Sequence, residues 1–165
     1  MAASRKRTVF VVFLFIFCCF TVFAETAASG RVLVIENSRT GRHVELPIDD
    51  LNRLTIKFFH SYDRQWVWET FNIQDGRFVP TEVTYIDDSY DYRFQRYRSH
   101  LVLAPGRSRL TDIDPRPADR LRVIITRIAY TRSQQLILDS RRSRESHAFY
   151  EWGQPGQRLV FSVKK

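Results

Sequence analysis

Residues 66–86, WVWETFNIQDGRFVPTEVTYI, contain two β-prone runs on either side of Asp75-Gly76. An Asp-Gly pair between alternating apolar residues is the strongest short hairpin signal in a sequence, because both positions favour the left-handed backbone of a tight turn. The stretch therefore predicts two antiparallel strands, in which Gln74 lies opposite Arg77 and Ile73 opposite Phe78.

Similar runs occupy most of the chain outside its first residues, with Gly- and Pro-containing breakers between them. They are RVLVIE (31–36), HVELPI (43–48), RLTIKFFHSY (53–62), RSHLVLA (98–104), RLRVIITRIAY (120–130), QQLILD (134–139) and QRLVFSV (157–163). Leu110 to Ile113 is interpreted as a turn or half-strand, and residues 140–152 as a loop. The pattern predicts an all-β fold, an antiparallel β-sandwich or barrel-like sheet of about eight or nine strands.

The N-terminus has the composition of an export signal. Three basic residues, at positions 5–7, precede the uncharged run TVFVVFLFIFCCFTVF (8–23), and Ala24 follows. This layout predicts a signal peptide at 1–24, with an N-terminal membrane anchor as the alternative. Residues 25–165 are then a single all-β domain in an extracytoplasmic location, either periplasmic or secreted. Both cysteines lie in the apolar run, so the domain has no disulfide.

The chain is basic, with 26 Lys and Arg against 18 Asp and Glu. Removing the three basic residues of the signal leaves 23 − 18 = +5. In an exported protein this charge indicates contact with the headgroups of a membrane surface, anionic polymers or an acidic partner rather than nucleic acid, although a mixed surface rich in arginine explains it as well or better.

The alternation of residues 53–62 places Leu54, Ile56, Phe58 and His60 on one face. A four-residue loop at 63–66 would set His60 opposite Glu69, Phe58 opposite Phe71, and Ile56 opposite Ile73. The Asp75-Gly76 turn would then set Glu69 opposite Glu82. This register predicts a row of His60, Glu69 and Glu82 across three strands.

Such a row has several interpretations. Two adjacent carboxylates repel unless a cation, a proton or a base separates them, so the row could bind a ligand or a divalent cation. A small metal-dependent or hydrolytic enzyme could use the same residues. Alternatively, His60 and Glu69 form a structural hydrogen bond at the rim of the core.

The hairpin also resembles a known family, on the residues Phe59-His60-Ser61, Asp63, Val67 and Glu69. They are similar to the His-Ser-x-acid-x-x-x-Val-x-Glu signature of domain of unknown function 1850 (DUF1850), and an acid near Glu82 fits as well. The resemblance implies a small exported or membrane-anchored protein, accessory to a TAXI-type TRAP transporter or its solute-binding protein. It marks His60, Ser61, Asp63, Glu69 and Glu82 as candidate ligand-binding residues. Two departures are YIDDSYDYRF (85–94) in place of a glycine-rich segment and Trp66 in place of proline.

A second polar cluster contains Asp87, Asp88 and Asp91 among tyrosines. Closely spaced carboxylates can hold Ca²⁺ or, beside aromatic rings, a sugar, although a solvated acidic loop explains them as well.

The common nucleophile, zincin, phosphate-loop and dinucleotide motifs are missing from the sequence. We therefore expect a non-enzymatic extracytoplasmic binding domain associated with a TRAP/TAXI transporter and needing no cofactor. The alternatives are the enzyme described above and a structural cell-envelope module.

Overall fold

The computed structural model describes residues 30–61, 64–86 and 98–165. They form eleven β-strands and two short 3-10 helices, Pro117–Asp119 and Phe149–Glu151, with no α-helix in these ranges. The strands are β1 (Val32–Asn37), β2 (His43–Pro47), β3 (Leu51–His60), β4 (Gln65–Gln74), β5 (Arg77–Tyr85), β6 (Arg98–Ala104), β7 (Arg107–Asp114), β8 (Val123–Arg127), β9 (Gln135–Ser140), β10 (Arg144–Ala148) and β11 (Arg158–Lys164). No helix in the described ranges is long and apolar enough to cross a membrane.

The strands form two antiparallel sheets. One has four strands in the order β2-β1-β11-β8, and the other has seven in the order β10-β9-β3-β4-β5-β7-β6. The prediction of an all-β antiparallel sandwich is confirmed. The predicted count of eight or nine strands is too low, because residues 107–114 form a complete strand and β10 lies where a loop was expected.

A core between the two sheets holds them together. Alternate residues of each strand face inward, as the two-residue period of a strand requires. The four-stranded sheet contributes Leu33, Ile35, Leu159 and Phe161, and the seven-stranded sheet contributes Leu54, Ile56, Phe71, Phe78, Leu136 and Leu138. A second buried cluster, of Val67, Val83, Tyr85, Leu110 and Ile113, continues the inner face across β4, β5 and β7.

The Asp75-Gly76 turn forms as predicted. Ile73 pairs with Phe78, and Gln74 pairs with Arg77. Both turn residues have positive φ, at 51° for Asp75 and 69° for Gly76, which explains why this dipeptide occurs here.

A β-bulge interrupts the same strand pair four residues beyond the turn. Phe71 pairs with Pro80, but Thr70 pairs with Glu82, so Thr81 is an additional residue in β5. Pro80 has no N–H to donate to the ladder, and the Thr81 hydroxyl donates instead to the Thr70 carbonyl at 3.2 Å. The bulge reverses the facing of every later residue of β5.

Candidate functional site

A cleft of about 380 Å³ opens between the two sheets beside the end of β3. On one wall, β3 contributes Ile56, Phe58 and His60, and β4 contributes Glu69 and Phe71. The opposite wall is residues 121 and 123–126, at and before β8, with Gln134 nearby. The volume falls in the usual range for a small-molecule site, and the lining combines an apolar floor with a few polar groups.

His60 is the last residue of β3 and is half-buried at this cleft. The period of two brings it to the inner face with Ile56 and Phe58. Its imidazole ring lies against Phe58, with the ring centroids 6.4 Å apart and the planes tilted by 55°. This packing restricts the orientation of the imidazole at the cleft.

Glu69 lies in the middle of β4, half-buried, on the same inner face. It pairs in register with Ile56, and buried Val67 and Phe71 flank it on that face. A carboxylate among such neighbours is desolvated in part, which increases the strength of any hydrogen bond or ion pair that a ligand makes with it.

The opposite wall adds two polar side chains, Gln134 and Thr126, that sequence reasoning missed. The side-chain Oε1 of buried Gln134 accepts a hydrogen bond from the Ala129 backbone N–H at 2.6 Å, which fixes the side-chain amide beside the cleft. Thr126 pairs with the fully buried Leu159, so its side chain faces inward. No local signal marks either residue, because only the packing of the sheets brings β8 to β3 and β4.

The predicted pairing of β3 with β4 is wrong. His60 pairs with Gln65 rather than Glu69, Phe58 with Val67 rather than Phe71, and Ile56 with Glu69 rather than Ile73. β3 ends at His60 and β4 begins at Gln65, directly after Arg64 with its φ of 52°, whereas the predicted loop is residues 63–66. His60 and Glu69 therefore share a face but lie four residues apart along the strands, about 13 Å between backbone positions.

The predicted pairing of Glu69 with Glu82 is also wrong. Glu69 pairs with Val83, and Glu82 pairs with Thr70. Because the bulge at Thr81 reverses the facing of β5, Glu82 points to the outer face of the seven-stranded sheet. A row of His60, Glu69 and Glu82, and any enzyme site that uses all three together, is therefore inconsistent with the fold.

On that outer face Glu82 is held by two donors. Arg109 Nη2 donates to its carboxylate at 2.6 Å, and the Thr84 hydroxyl donates at 3.0 Å. Partial burial opposes ionisation of Glu82, but the bonds from Arg109 and Thr84 and the charges of Arg109 and Arg53 outweigh it. The pKa of Glu82 consequently lies below its ordinary value. This is a structural ion pair.

Of the remaining predicted residues, Ser61 is the one within the described ranges, and it is exposed directly after β3. Asp63, Asp87, Asp88 and Asp91 lie outside the described residues. Within residues 30–61, 64–86 and 98–165, no group of three or more His, Cys, Asp or Glu side chains is arranged to hold a metal ion.

The cleft thus offers a carboxylate, an imidazole that can donate or accept a hydrogen bond, the polar side chains of Thr126 and Gln134, and an apolar floor. The separation of the carboxylate and the imidazole suits contacts to different parts of one bound molecule better than a shared proton, since a catalytic pair must lie within hydrogen-bond reach.

Comparisons of the chain with protein-family models, with curated proteins and with solved structures find no match.

Proposed function

We propose that this protein is a non-enzymatic extracytoplasmic binding domain whose cleft takes up a small organic solute. The observation that carries the proposal is the solvent-open cleft with His60 and Glu69 on one wall. The inner face of a β-sandwich is normally filled with apolar side chains, as the rest of this core is. Polar side chains that border a solvent-open cleft on that face can bind a ligand, whereas they contribute little to the stability of an apolar core.

The lining indicates the chemistry of the solute. Phe58, Ile56 and Phe71 can bury an apolar part, while Glu69 accepts from an ammonium or hydroxyl group. His60 can bond to a polar group at the other end, because the backbones of the two residues lie about 13 Å apart along the strand direction. The proposed solute is therefore amphipathic, with a hydrogen-bond donor that faces Glu69.

The proposal extends to a role as an accessory component of a TRAP/TAXI-type solute transporter. Its support is the resemblance of the His60-to-Glu69 hairpin to DUF1850 and the signal-like composition of residues 1–24. The partner would be the permease or its solute-binding protein, outside the cytoplasm.

Thermal melting of the purified chain tests the cleft. The probes are amino acids and amphipathic amines of increasing chain length, compared with short carboxylates and the chlorides of Mg²⁺, Ca²⁺ and Zn²⁺, which lack the amphipathic character proposed for the solute. A solute that binds the native state at saturating concentration should raise the melting temperature by about 3 °C or more. Glu69→Gln and His60→Ala should each reduce this shift.

Glu36→Gln is the matched control, because Glu36 is an exposed carboxylate on β1. It should leave the ligand-induced shift unchanged. If no probe stabilises the wild-type chain, or if Glu36→Gln and Glu69→Gln weaken the shift equally, the cleft is not the binding site.

The transporter association needs its own measurement. Sedimentation velocity of the protein mixed with the TAXI-type solute-binding protein of the same organism should reveal a complex. Failure to form one, and to co-purify with the permease, would count against this partner while leaving solute binding in the cleft intact.

A further inference from the structure

The outer face of the seven-stranded sheet is the face opposite the four-stranded sheet. At one end of it, tryptophan side chains lie beside Lys and Arg side chains. We call this region the cationic–aromatic face and define it by Lys57, Trp66, Trp68, Val102, Arg107 and Arg109. Cross-strand pairing sets four of them in one row: Lys57 pairs with Trp68, Trp68 with Thr84, Thr84 with Arg109, and Arg109 with Val102.

Cations and rings alternate along the face. Lys57 Nζ lies 4.6 Å from the Trp66 ring centroid and 5.8 Å from that of Trp68. The Arg107 guanidinium carbon lies 5.6 Å from the Trp68 centroid. Phe59 meets Trp66 edge-on, with the centroids 5.6 Å apart. These contacts hold the charged groups in place over the rings at the surface of the sheet.

Apolar side chains project into solvent at the same end of the sheet. Val102, opposite Arg109, is 45% exposed on this face, whereas its neighbour Leu103 pairs with Ser108 and lies on the other face of the sheet. Ile86, directly after β5, is 41% exposed. Exposed aliphatic side chains beside cations and tryptophans are unfavourable in water, and in a folded protein such a surface commonly marks an interaction site.

The charge of this region is positive. Among the described residues, Lys57, Arg107 and Arg109 are its cations, and Glu82 is the neighbouring carboxylate, already held by Arg109. The three positive side chains and one negative side chain favour an anionic partner.

We propose that the cationic–aromatic face docks on an anionic membrane surface. Lys and Arg pair with lipid phosphates, Trp rings prefer the headgroup level, and short aliphatic side chains enter the boundary of the acyl chains. A soluble polyanion would engage the cations and leave Val102 and Ile86 in water, so the bilayer fits more of the surface. This docking goes beyond solute binding in the cleft, which lies on the other face of the same sheet.

Tryptophan quenching by vesicles with brominated acyl chains tests the docking on the full chain. One vesicle preparation is phosphatidylcholine, and the other contains phosphatidylglycerol as well. An N-terminal anchor would tether the chain to both, whereas contact by the face requires the anionic lipid. We expect quenching in the phosphatidylglycerol vesicles that weakens as NaCl is added. Trp152, which packs against Phe149 and Phe161, provides a constant background.

Two charge-matched double variants identify the surface. Lys57→Gln with Arg107→Gln should remove roughly half or more of the quenching, because each cation near an anionic surface contributes to binding. Arg141→Gln with Arg142→Gln removes the same charge from an exposed turn between β9 and β10 and should have little effect. If circular dichroism shows that the first pair is unfolded, Val102→Ser with Ile86→Ser decides, and the same loss is expected.

Three results would overturn the proposal. The first is equal quenching in both vesicle types, and the second is an equal loss of quenching in the Lys57/Arg107 and Arg141/Arg142 double variants. The third is a change in tryptophan emission with soluble polyphosphate but none with phosphatidylglycerol vesicles. The last result would assign the face to a soluble polyanion. None of these three results depends on whether the cleft binds a solute.

Discussion

The inner and outer faces of strands β3, β4 and β5 use similar polar residues in opposite ways. On the inner face, Glu69 and His60 border an open cleft among apolar side chains. On the outer face, Glu82 is held by Arg109 and Thr84 in an ion pair. One inserted residue, Thr81, decides which face Glu82 occupies. A carboxylate in a strand therefore acquires its role from the pairing of the whole strand rather than from its neighbours in sequence.

Deleting Thr81 should have the largest effect on the difference between the two faces. Without the bulge, Glu82 would turn inward and Val83 and Tyr85, both buried, would turn outward. We expect the free energy of unfolding to fall by more than about 4 kcal/mol, measured by urea denaturation. Thr81→Ala is the control, because it keeps the bulge and loses only one hydrogen bond, at a cost of about 1 kcal/mol. Equal stability of the deletion variant and wild type would mean that the bulge does not set the facing of β5.

Truncating one aromatic ring on each face should sharpen the comparison. Phe71 is 2% exposed in the core between the sheets, so Phe71→Ala should cost about 3 to 5 kcal/mol. Trp68→Ala, on the half-buried outer face, should cost less, since it leaves no closed cavity. Chemical denaturation of both variants provides the measurement. A larger loss for Trp68→Ala would show that the outer face, rather than the core, dominates stability in this part of the sheet.

Changing the outer carboxylate should have a smaller and pH-dependent effect. Because the pKa of Glu82 is lowered in the folded protein, its ionised form stabilises the fold at neutral pH. That contribution should be lost as pH falls from the unfolded-state pKa, about 4.3, through the lower folded-state pKa. Arg109 is 47% exposed, and solvent screening limits the loss in Glu82→Gln at pH 7 to about 1 kcal/mol or less.

Melting curves of wild type and Glu82→Gln between pH 7 and pH 3 check this expectation. The two proteins should converge in stability at the acid end. A difference that grows as the pH falls would contradict the role given to the Arg109 ion pair.

The smallest effect is expected from Glu69→Gln without ligand. Gln has nearly the same shape and keeps one acceptor oxygen at this half-buried position, so we expect a change in the free energy of unfolding within about 0.5 kcal/mol, while solute binding is weakened. A large loss of stability from Glu69→Gln, measured by urea denaturation, would instead assign Glu69 a structural role.

Several features follow from the sequence alone. The β-branched and aromatic runs located most of the strands, and Asp75-Gly76 located a turn whose two residues both have positive φ. The period of two also placed His60 and Glu69 on a common face correctly. These features depend on local backbone preference and side-chain alternation, which short stretches of sequence contain.

Only the tertiary structure decided the pairing of β3 with β4, the facing of Glu82 and the second wall of the cleft. The predicted and observed β3–β4 registers place the same side chains on the same face, so the apolar pattern could not distinguish them. Pro80 was a local sign of a bulge, but the position of the inserted residue depends on pairing with β4. Contacts between residues distant in sequence place Gln134 and β8 at the cleft and Arg109 beside Glu82. The physical reason is that non-local hydrogen bonds and burial determine how strands pair and sheets pack.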